Sequence, residues 1–224
     1  TEANVEVVRR LVLAGRKVGA KALVIHAIAP RAAAKDFNRE VRRGALVNAL
    51  PFLEFYSRQC RYVNLVPTLE NVPPVARMRE NKWVFTPIGM GPEDLMCLCG
   101  ETEGLQLTLD VSHAQLYINA IHASVERVGA RLKPLVSYLQ QADDVRDLNH
   151  YIARVEDRLF EAHISNAKGI TGEGLPYAEG ELDLDEVARR LARRARYLVT
   201  ETIEPNPERA GHMREAQDRL RAAL

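Results

Sequence analysis

The sequence has only three cysteines, Cys60, Cys97 and Cys99, and an odd, sparse count of this kind does not describe a disulfide framework. A reducing compartment is therefore expected, and a cytoplasmic location fits best. Cys97 and Cys99 could form half of a metal clip, but no second cysteine pair or matching histidine spacing accompanies them. Because both lie in an apolar, helix-like stretch, we predict that they pack in the core.

The chain also lacks an excess of charge of either sign, with 31 Lys plus Arg against 30 Asp plus Glu. The overall charge of the chain therefore gives no indication that nucleic acid or an anionic membrane surface is a partner. No apolar run approaches the roughly 20 residues that a membrane-spanning helix needs, and the N-terminus has no basic segment followed by an apolar signal core. At 224 residues, 46% of them hydrophobic, the chain can bury one sizeable core, and a single domain over residues 1–224 is expected.

Helical and strand patterns alternate along the chain. Apolar residues spaced by three and four predict helices over about 2–19, 36–60, 91–100, 183–196 and up to about 222. Short apolar runs predict strands near 22–26, 62–70, 105–111, 159–165 and 197–203. Residues 114–157 are expected to hold two helices, divided near Gly129 or around 141–144, and the glycine-rich stretch 166–181 is expected to be a loop. This alternation favours a parallel sheet covered by helices.

Four of the predicted strands end in a carboxylate or an imidazole. These residues are Glu70, Asp110 followed by His113, His163 and Glu201. Such groups are costly to bury singly, so their recurrence at strand ends indicates a common partner, for which a divalent cation is the natural choice. An open doubly wound sheet places its ligand at one switch point. Polar residues at the end of consecutive strands favour a barrel instead.

The predicted strands are too few for a closed barrel, which needs eight where the sequence provides five. We therefore expect an α/β fold of the (β/α)8 TIM-barrel type from which about three N-terminal strand–helix units are absent. The chain begins at Thr1, without Met, and a helical pattern follows almost at once. That is the pattern expected of a fragment or a processed chain.

Five short motifs occur in chain order. They are Glu70-Asn-Val-Pro, Asp110-Val-Ser-His113-Ala, His163-Ile-Ser-Asn, the stretch 177–183, and Thr200-Glu201. Together they resemble the xylose-isomerase-like barrel superfamily of sugar-phosphate isomerases and epimerases, to which the endonuclease IV type of abasic-site nuclease also belongs. The resemblance covers essentially the whole chain, and its motifs are specific to the superfamily but not to one activity.

The resemblance implies a set of metal ligands, namely Glu70, Asp110, His163 and Glu201. Three oxygen ligands with one imidazole suit Mn²⁺, Mg²⁺ or Co²⁺, with Zn²⁺ as an alternative. The resemblance also implies that Glu70 and Glu201 act as bases that remove and return a proton on either face of a substrate. His113 is expected to face the substrate or a second metal, and His26 and Lys168 are further candidates for substrate contact.

Three classes of function stay open. The first is a divalent-metal-dependent isomerase or epimerase that acts on a sugar, a sugar phosphate or a related hydroxy-carbonyl compound through an enediolate; a lyase or dehydratase would share this chemistry. The second is the abasic-site nuclease, which also needs an Asp-x-His pair that residues 169–176 lack. The third is a binding protein that keeps the fold without turnover. A homo-oligomer also stays open, because exposed barrel helices often pair.

The remaining polar residues are assigned to packing or to solvent. His122, His150 and His212 lie in helical stretches and are expected at surface or packing positions. The arginines of residues 189–196 are expected to form a solvated outer face. Glu173 and Glu179 lie in the glycine-rich loop and are left out of the ligand set, because tight turns alone explain the glycines.

Overall fold

Strands and helices alternate through the described residues of the computed structural model, which are 2–79, 82–141 and 144–224. The strands are β1 (Ala22–His26), β2 (Val66–Glu70), β3 (Arg77–Arg79), β4 (Lys82–Val84), β5 (Gln106–Asp110), β6 (Leu159–Ile164), β7 (Asn166–Lys168), β8 (Gly172–Leu175) and β9 (Tyr197–Thr200). The helices are α1 (Glu2–Val18), α2 (Arg39–Tyr62), α3 (Pro92–Glu101), α4 (Val111–Ile121), α5 (Lys133–Leu139), α6 (Leu148–Val155), α7 (Leu184–Leu191) and α8 (Gly211–Ala223), with a 3-10 turn at Glu156–Arg158.

Five strands, β1, β2, β5, β6 and β9, form one parallel sheet whose spatial order is the chain order. The order never reverses, so this sheet has no switch point of the kind at which open doubly wound sheets bind ligands. Every connection between neighbouring strands carries at least one helix. This is the winding of a (β/α) barrel, and five strands make it a partial one.

Side chains alternate between the two faces of the sheet, and this alternation separates the core from the polar residues. The apolar set Leu69, Leu107, Leu109, Ala162 and Ile164 is buried under the helices. Their strand neighbours point to the other face, where Thr108 Oγ1 donates a hydrogen bond of 2.8 Å to Thr68 Oγ1. The residues at the C-terminal strand ends belong to this second face, which corresponds to the interior of a barrel.

Helix α2 fixes the relative position of the first two strands of the sheet. The hydroxyl group of Tyr56, fully buried, donates a hydrogen bond to the backbone oxygen of Leu23 on β1 and accepts one of 3.2 Å from the backbone nitrogen of Thr68 on β2. Asn38 starts the helix, because its side chain accepts a hydrogen bond of 2.9 Å from the backbone nitrogen of Val41. One helix thus bonds both β1, which ends in His26, and β2, which ends in Glu70.

The predicted bounds hold for the five sheet strands to within a few residues, except that β2 begins at Val66 rather than at residue 62. Helix α2 runs to Tyr62, and Asn64, with a φ of 62°, turns the chain before the strand starts. The prediction of two helices in residues 114–157 was wrong: α4, α5 and α6 occupy this region. One break lies around Gly129, and the other lies near the stretch 141–144, of which residues 142 and 143 fall outside the described part.

Two hairpins were not expected. Strands β3 and β4 pair in antiparallel fashion beyond the Pro73–Pro74 loop, and β7 and β8 pair within the stretch expected to be a loop. The glycines of that stretch therefore shape a hairpin, as Gly174 shows with a φ of +65°. The β7–β8 hairpin follows directly after β6 and so lies at the end of the sheet that carries the polar residues.

The cysteine prediction was correct for Cys99, which is buried, and wrong for Cys97, which is exposed. The two residues are two positions apart on α3, so they point to different sides of the helix. No helix in the described ranges has the length and apolar character needed to cross a membrane.

Candidate metal centre

The four predicted ligands meet at the C-terminal end of the sheet. Glu70, Asp110, His163 and Glu201 each offer one ligand atom, and these four atoms lie within 4.8 Å of one another. His163 Nδ1 lies 3.4 Å from Glu70 Oε1 and 2.5 Å from Glu201 Oε2. Glu70, Asp110 and His163 are buried, whereas the Glu201 side chain is 56% exposed because β9 forms an edge of the sheet. The arrangement is a cluster of oxygen and nitrogen ligands that is open on one side.

The side chain of Asn71 connects the motif that begins at Glu70 with the motif that begins at Asp110. Its side-chain oxygen accepts a hydrogen bond of 2.7 Å from the backbone nitrogen of Asp110, and its side-chain nitrogen donates one of 2.9 Å to the backbone oxygen of Asp110. Asp110 in turn caps α4, because its carboxylate accepts a hydrogen bond of 2.7 Å from the backbone nitrogen of His113. The residue after the candidate ligand Glu70 therefore sets the position of the candidate ligand Asp110.

We expect Asn71→Ala to lower the free energy of unfolding by about 2 kcal/mol, because it leaves the buried backbone groups of Asp110 without their partners. Chemical denaturation would measure the change. Asn119→Ala is the matched control: the Asn119 side-chain nitrogen donates to Gly169 and Glu181 and its oxygen accepts from Gln115, in less buried contacts near the end of α4. Equal losses in the two variants would contradict a special role for Asn71.

The donor set fits a divalent cation. His163 Nδ1 is a buried nitrogen that has no hydrogen-bond partner of acceptable geometry among the described residues, although carboxylate oxygens of Glu70 and Glu201 lie close to it. Three carboxylates around one imidazole require a positive charge at their centre, since like charges repel. Protonated His163 supplies one such charge, and a divalent cation among these hard oxygen ligands would supply two.

The pKa values of the cluster reflect the same requirement. Burial raises the pKa of Glu70, but its close contacts with His163 and His26 outweigh this and hold the pKa at about 2. Burial lowers the pKa of His163, but its contacts with Glu161, Glu201 and Glu70 outweigh this and raise it to about 12. The pKa of Asp110 is raised, chiefly by burial. Carboxylate and imidazolium thus hold each other in their charged forms.

The other two predicted histidines lie beside Glu70. His26 Nε2 is 3.2 Å from Glu70 Oε2, and His113 Nδ1 is 3.6 Å from Glu70 Oε1, so the three residues form a second group able to hold an ion. His113 Nδ1 also lies 2.9 Å from the backbone oxygen of Asn71. Because a carbonyl oxygen can only accept, Nδ1 carries the proton, which leaves Nε2 for another contact. The nitrogen that faces Glu70 therefore cannot ligate an ion beside that carboxylate, and Nε2 remains for a contact with a substrate or a metal.

Two acidic residues of the site were not predicted. Glu161 Oε1 lies 2.9 Å from His163 Nε2, and Glu173 Oε2 lies 3.7 Å from His113 Nε2. The spacing of two residues on one strand could have revealed Glu161, since residues 161 and 163 share a face. Glu173 depends on the unexpected β7–β8 hairpin, and burial raises its pKa.

The hairpin is seated by contacts on both of its sides. The backbone nitrogen of Gly174 donates a hydrogen bond of 3.1 Å to Ser112 Oγ at the start of α4, and its oxygen accepts one of 2.8 Å from the backbone nitrogen of Ile203. A Cβ at this position would lie 2.6 Å from Ile203 Cγ1, so only glycine fits the close approach. These contacts place Glu173 of the hairpin beside His113.

The remaining candidates lie elsewhere. Lys168 ends β7 with an exposed side chain, and no contact found among the described residues joins it to the cluster, so its role in substrate binding stays a prediction. His122 Nε2 lies 3.0 Å from the backbone oxygen of Val145, and His150 Nδ1 accepts a hydrogen bond of 3.2 Å from the backbone nitrogen of Arg146. His122 is exposed and His150 is half-buried, so the two occupy a surface and a packing position, as expected.

Comparison with known proteins gives structural but not sequence relatives. No protein-family model matches the chain, and no curated protein matches it. A solved structure described as a D-tagatose 3-epimerase-like protein aligns with a TM-score of 0.67 at 16% identity, over 98% of this chain and 68% of that one. The apo form of the Escherichia coli 3-keto-D-glucoside 4-epimerase YcjR aligns with a TM-score of 0.64 at 15% identity, over 97% and 70%.

A third similar structure contains a metal. It is a xylose isomerase-like TIM barrel protein from Mycobacterium smegmatis in complex with magnesium, with a TM-score of 0.63 at 12% identity, over 99% of this chain and 67% of that one. The chain thus spans about two thirds of the length of each of these structures. The fold predicted from the sequence is confirmed: this chain has the fold of the xylose isomerase-like TIM barrels, in the form of a partial barrel.

Proposed function

We propose that the protein is a divalent-metal-dependent isomerase or epimerase of a sugar or a related hydroxy-carbonyl compound that reacts through an enediolate. The observation that carries the proposal is the convergence of Glu70, Asp110, His163 and Glu201 at the open end of a parallel sheet. The similar structures support the choice of reaction, since two of them are described as a sugar epimerase or epimerase-like protein.

The cluster provides an acid–base pair beside an electrophilic centre. A divalent cation bound by these ligands would stabilise the negative charge that develops when a C–H bond next to a carbonyl group loses its proton. Glu201 is exposed at the edge of the sheet and can approach that C–H bond. Glu70 comes from β2, also lies near His163 Nδ1, and is held by His26 and His163. One glutamate removes the proton and the other returns it.

The fate of the proton distinguishes the two reactions. Its return to the same carbon from the opposite face inverts that centre and gives an epimer. Its return to the neighbouring carbon, with transfer of the hydroxyl proton, moves the carbonyl group and gives an isomer. Two glutamates that come from the ends of separate strands suit the first reaction, and either glutamate alone suits the second.

Binding and orientation fall to the residues around the cluster. His113 Nε2 faces the space below the β7–β8 hairpin and can bond a substrate oxygen, and Glu173 lies 3.7 Å from the same nitrogen and can accept from a hydroxyl group. The hairpin contacts His113, Ser112 and Ile203, which neighbour the cluster in sequence, and from there it would limit the access of water to a reactive enediolate. It offers one carboxylate and no histidine in residues 172–175, and this favours sugar chemistry over the nuclease.

Metal analysis and proton exchange test the proposal. We expect the purified protein to bind a divalent ion at the cluster and to catalyse exchange of the C–H hydrogen of one or more ketoses in D₂O, as measured by NMR. Treatment with a chelator should abolish the exchange, and added Mn²⁺, Mg²⁺ or Co²⁺ should restore it. A protein that binds no divalent ion and exchanges no proton from any ketose of the panel would contradict the proposal.

A further inference from the structure

The imidazole of His163 lies between carboxylates on both of its nitrogen atoms. On one side, Nδ1 faces Glu70 and Glu201 of the cluster, at 3.4 and 2.5 Å. On the other side, Nε2 lies 2.9 Å from Glu161 Oε1. Glu161 is therefore separated from the four-residue cluster by the ring itself. The proposed reaction does not use Glu161.

From this geometry we infer that Glu161 is a positioning residue, which holds the His163 ring so that Nδ1 is the metal-ligating nitrogen. This inference rests on the proposed function. An ionised carboxylate can only accept a hydrogen bond, so Nε2 must be the donor and carries the ring proton. The lone pair of a neutral ring then lies on Nδ1, which faces Glu70 and Glu201.

The strand makes this contact rigid. Glu161 and His163 lie on the same face of β6, and β6 is paired on both sides: Glu161 opposes Thr108 and Tyr197, and His163 opposes Asp110 and Val199. The side chains of Glu161 and His163 are only 13% and 10% exposed. A buried hydrogen bond between two side chains of one fixed strand loses little freedom on forming, and it sets the rotation of the ring.

The position of Glu161 favours orientation over direct metal binding. It lies two residues before His163 on β6, farther from the C-terminal strand end than the ligands, and it contacts the ring nitrogen that points away from them. A carboxylate that accepts from the outer nitrogen of a ligating histidine fixes its tautomer and strengthens it as a ligand. Glu161 has the geometry of such a partner.

Three variants test the inference with Zn²⁺ alone as the probe. Glu161→Ala removes the acceptor, and Glu161→Gln keeps an oxygen that can accept from Nε2 but removes the charge. Glu156→Gln is the matched control, since Glu156 precedes the same strand but pairs with Arg190 and Arg194 on the outer surface. Affinity is measured by competition with a chromophoric chelator, and the site of the ring proton by long-range ¹H–¹⁵N NMR of the Zn²⁺-loaded protein.

We expect Glu161→Ala to weaken Zn²⁺ binding about 10-fold to 100-fold, Glu161→Gln to weaken it less, and Glu156→Gln to leave it unchanged. In the wild-type protein, the His163 signals should show a proton on Nε2 and the metal on Nδ1. Wild-type affinity in a folded Glu161→Ala variant, or the metal on Nε2, would overturn the inference. If this variant fails to fold, the Glu161→Gln affinity and the wild-type NMR spectrum decide the question.

The same measurements separate this inference from the proposed function. A wild-type protein that binds no Zn²⁺, Mn²⁺, Mg²⁺ or Co²⁺ contradicts both. A protein that binds Zn²⁺ through Nδ1 and depends on Glu161, but exchanges no proton from any ketose, contradicts the proposed reaction and supports the role of Glu161. A protein that exchanges protons and binds Zn²⁺ equally well with and without Glu161 contradicts only the inference.

Discussion

Replacing Glu201 by Gln should lower the rate of proton exchange by about three orders of magnitude, because Gln cannot take up a proton and general acid–base catalysis contributes 10²- to 10⁴-fold. The fold should not change. The backbone of Glu201 is held by a hydrogen bond of 3.2 Å from its nitrogen to the backbone oxygen of Ile164, which the substitution leaves in place. Gln also has the shape of Glu, and the side chain is already 56% exposed.

The exchange rate of the variant with saturating Mn²⁺ is the measurement, with thermal unfolding as the check on the fold. Excess metal is needed because Gln is also a weaker ligand than a carboxylate. Glu179→Gln serves as the control, since Glu179 is an exposed glutamate on the turn after β8 and outside the cluster. Wild-type exchange in the Glu201→Gln variant would remove Glu201 from the proposed pair of bases.

The convergence of the four candidate ligands could be predicted because the strands and the polar residues that end them are both visible in the sequence. In a strand such as 106–110, an apolar run predicts the strand, and the carboxylate that ends it stands out as a residue that has no place in a core. Since parallel strands end at one edge, the residues at their ends must lie close together even though up to 53 positions separate neighbours such as Asp110 and His163. The order of the motifs then identified the superfamily.

The surroundings of the ligands could not be predicted in the same way. Glu173 reaches the site because Gly174 packs against Ile203 and bonds Ser112, and these contacts join three segments that are remote in sequence. Glu161 is a simpler case, since its strand and face were predictable. Its role depends on which nitrogen of His163 faces the cluster, and that is a rotation of one ring, which no spacing of residues encodes.

The helices of residues 111–155 could also be predicted only in part from the sequence. Helix α4 begins directly at the end of β5, because Asp110 is both the last residue of the strand and the cap of the helix. A strand pattern up to residue 111 therefore overlapped the first helical residue. The short α5 and α6 each bury one side against the same core, and a periodic pattern of seven or eight residues barely defines a helix on its own.

Substitution of Asp110 should separate metal binding from helix capping. Asp110→Asn keeps a side-chain oxygen that can accept from the backbone nitrogen of His113, whereas Asp110→Ala removes it. Both variants lose a charged metal ligand. We expect both to bind Mn²⁺ at least about 100-fold more weakly, because the loss of a ligand should cost no less than the loss of an outer partner. Only Asp110→Ala should also lose about 1 kcal/mol of unfolding free energy from the cap.

The free energy of unfolding of the metal-free protein should depend on pH. Burial raises the pKa of Asp110, so the folded state holds its proton more tightly than the unfolded state does. The contribution of this group to stability is therefore fully present below its unfolded pKa and is lost as the pH rises through the folded pKa. Asn does not titrate. At neutral pH the metal-free Asp110→Asn variant should thus be at least as stable as the wild type, while the same concentration of Mn²⁺ should stabilise the wild type more than Asp110→Asn.

Asp147 provides the control, because it caps α6 with the same hydrogen bond of 2.7 Å, here from the backbone nitrogen of His150, far from the cluster. Asp147→Ala should lose about 1 kcal/mol of unfolding free energy, as Asp110→Ala does, but its affinity for Mn²⁺ should match the wild type. Denaturant unfolding with and without Mn²⁺, across pH 5 to 8, compares the three variants with the wild type. If Asp110→Asn bound Mn²⁺ as tightly as the wild type, Asp110 would be a cap alone, and the cluster would reduce to Glu70, His163 and Glu201. The ion would then be held by His163, by the exposed Glu201 and by Glu70, which also contacts His26. The buried carboxylate of Asp110, which caps α4, would take no part.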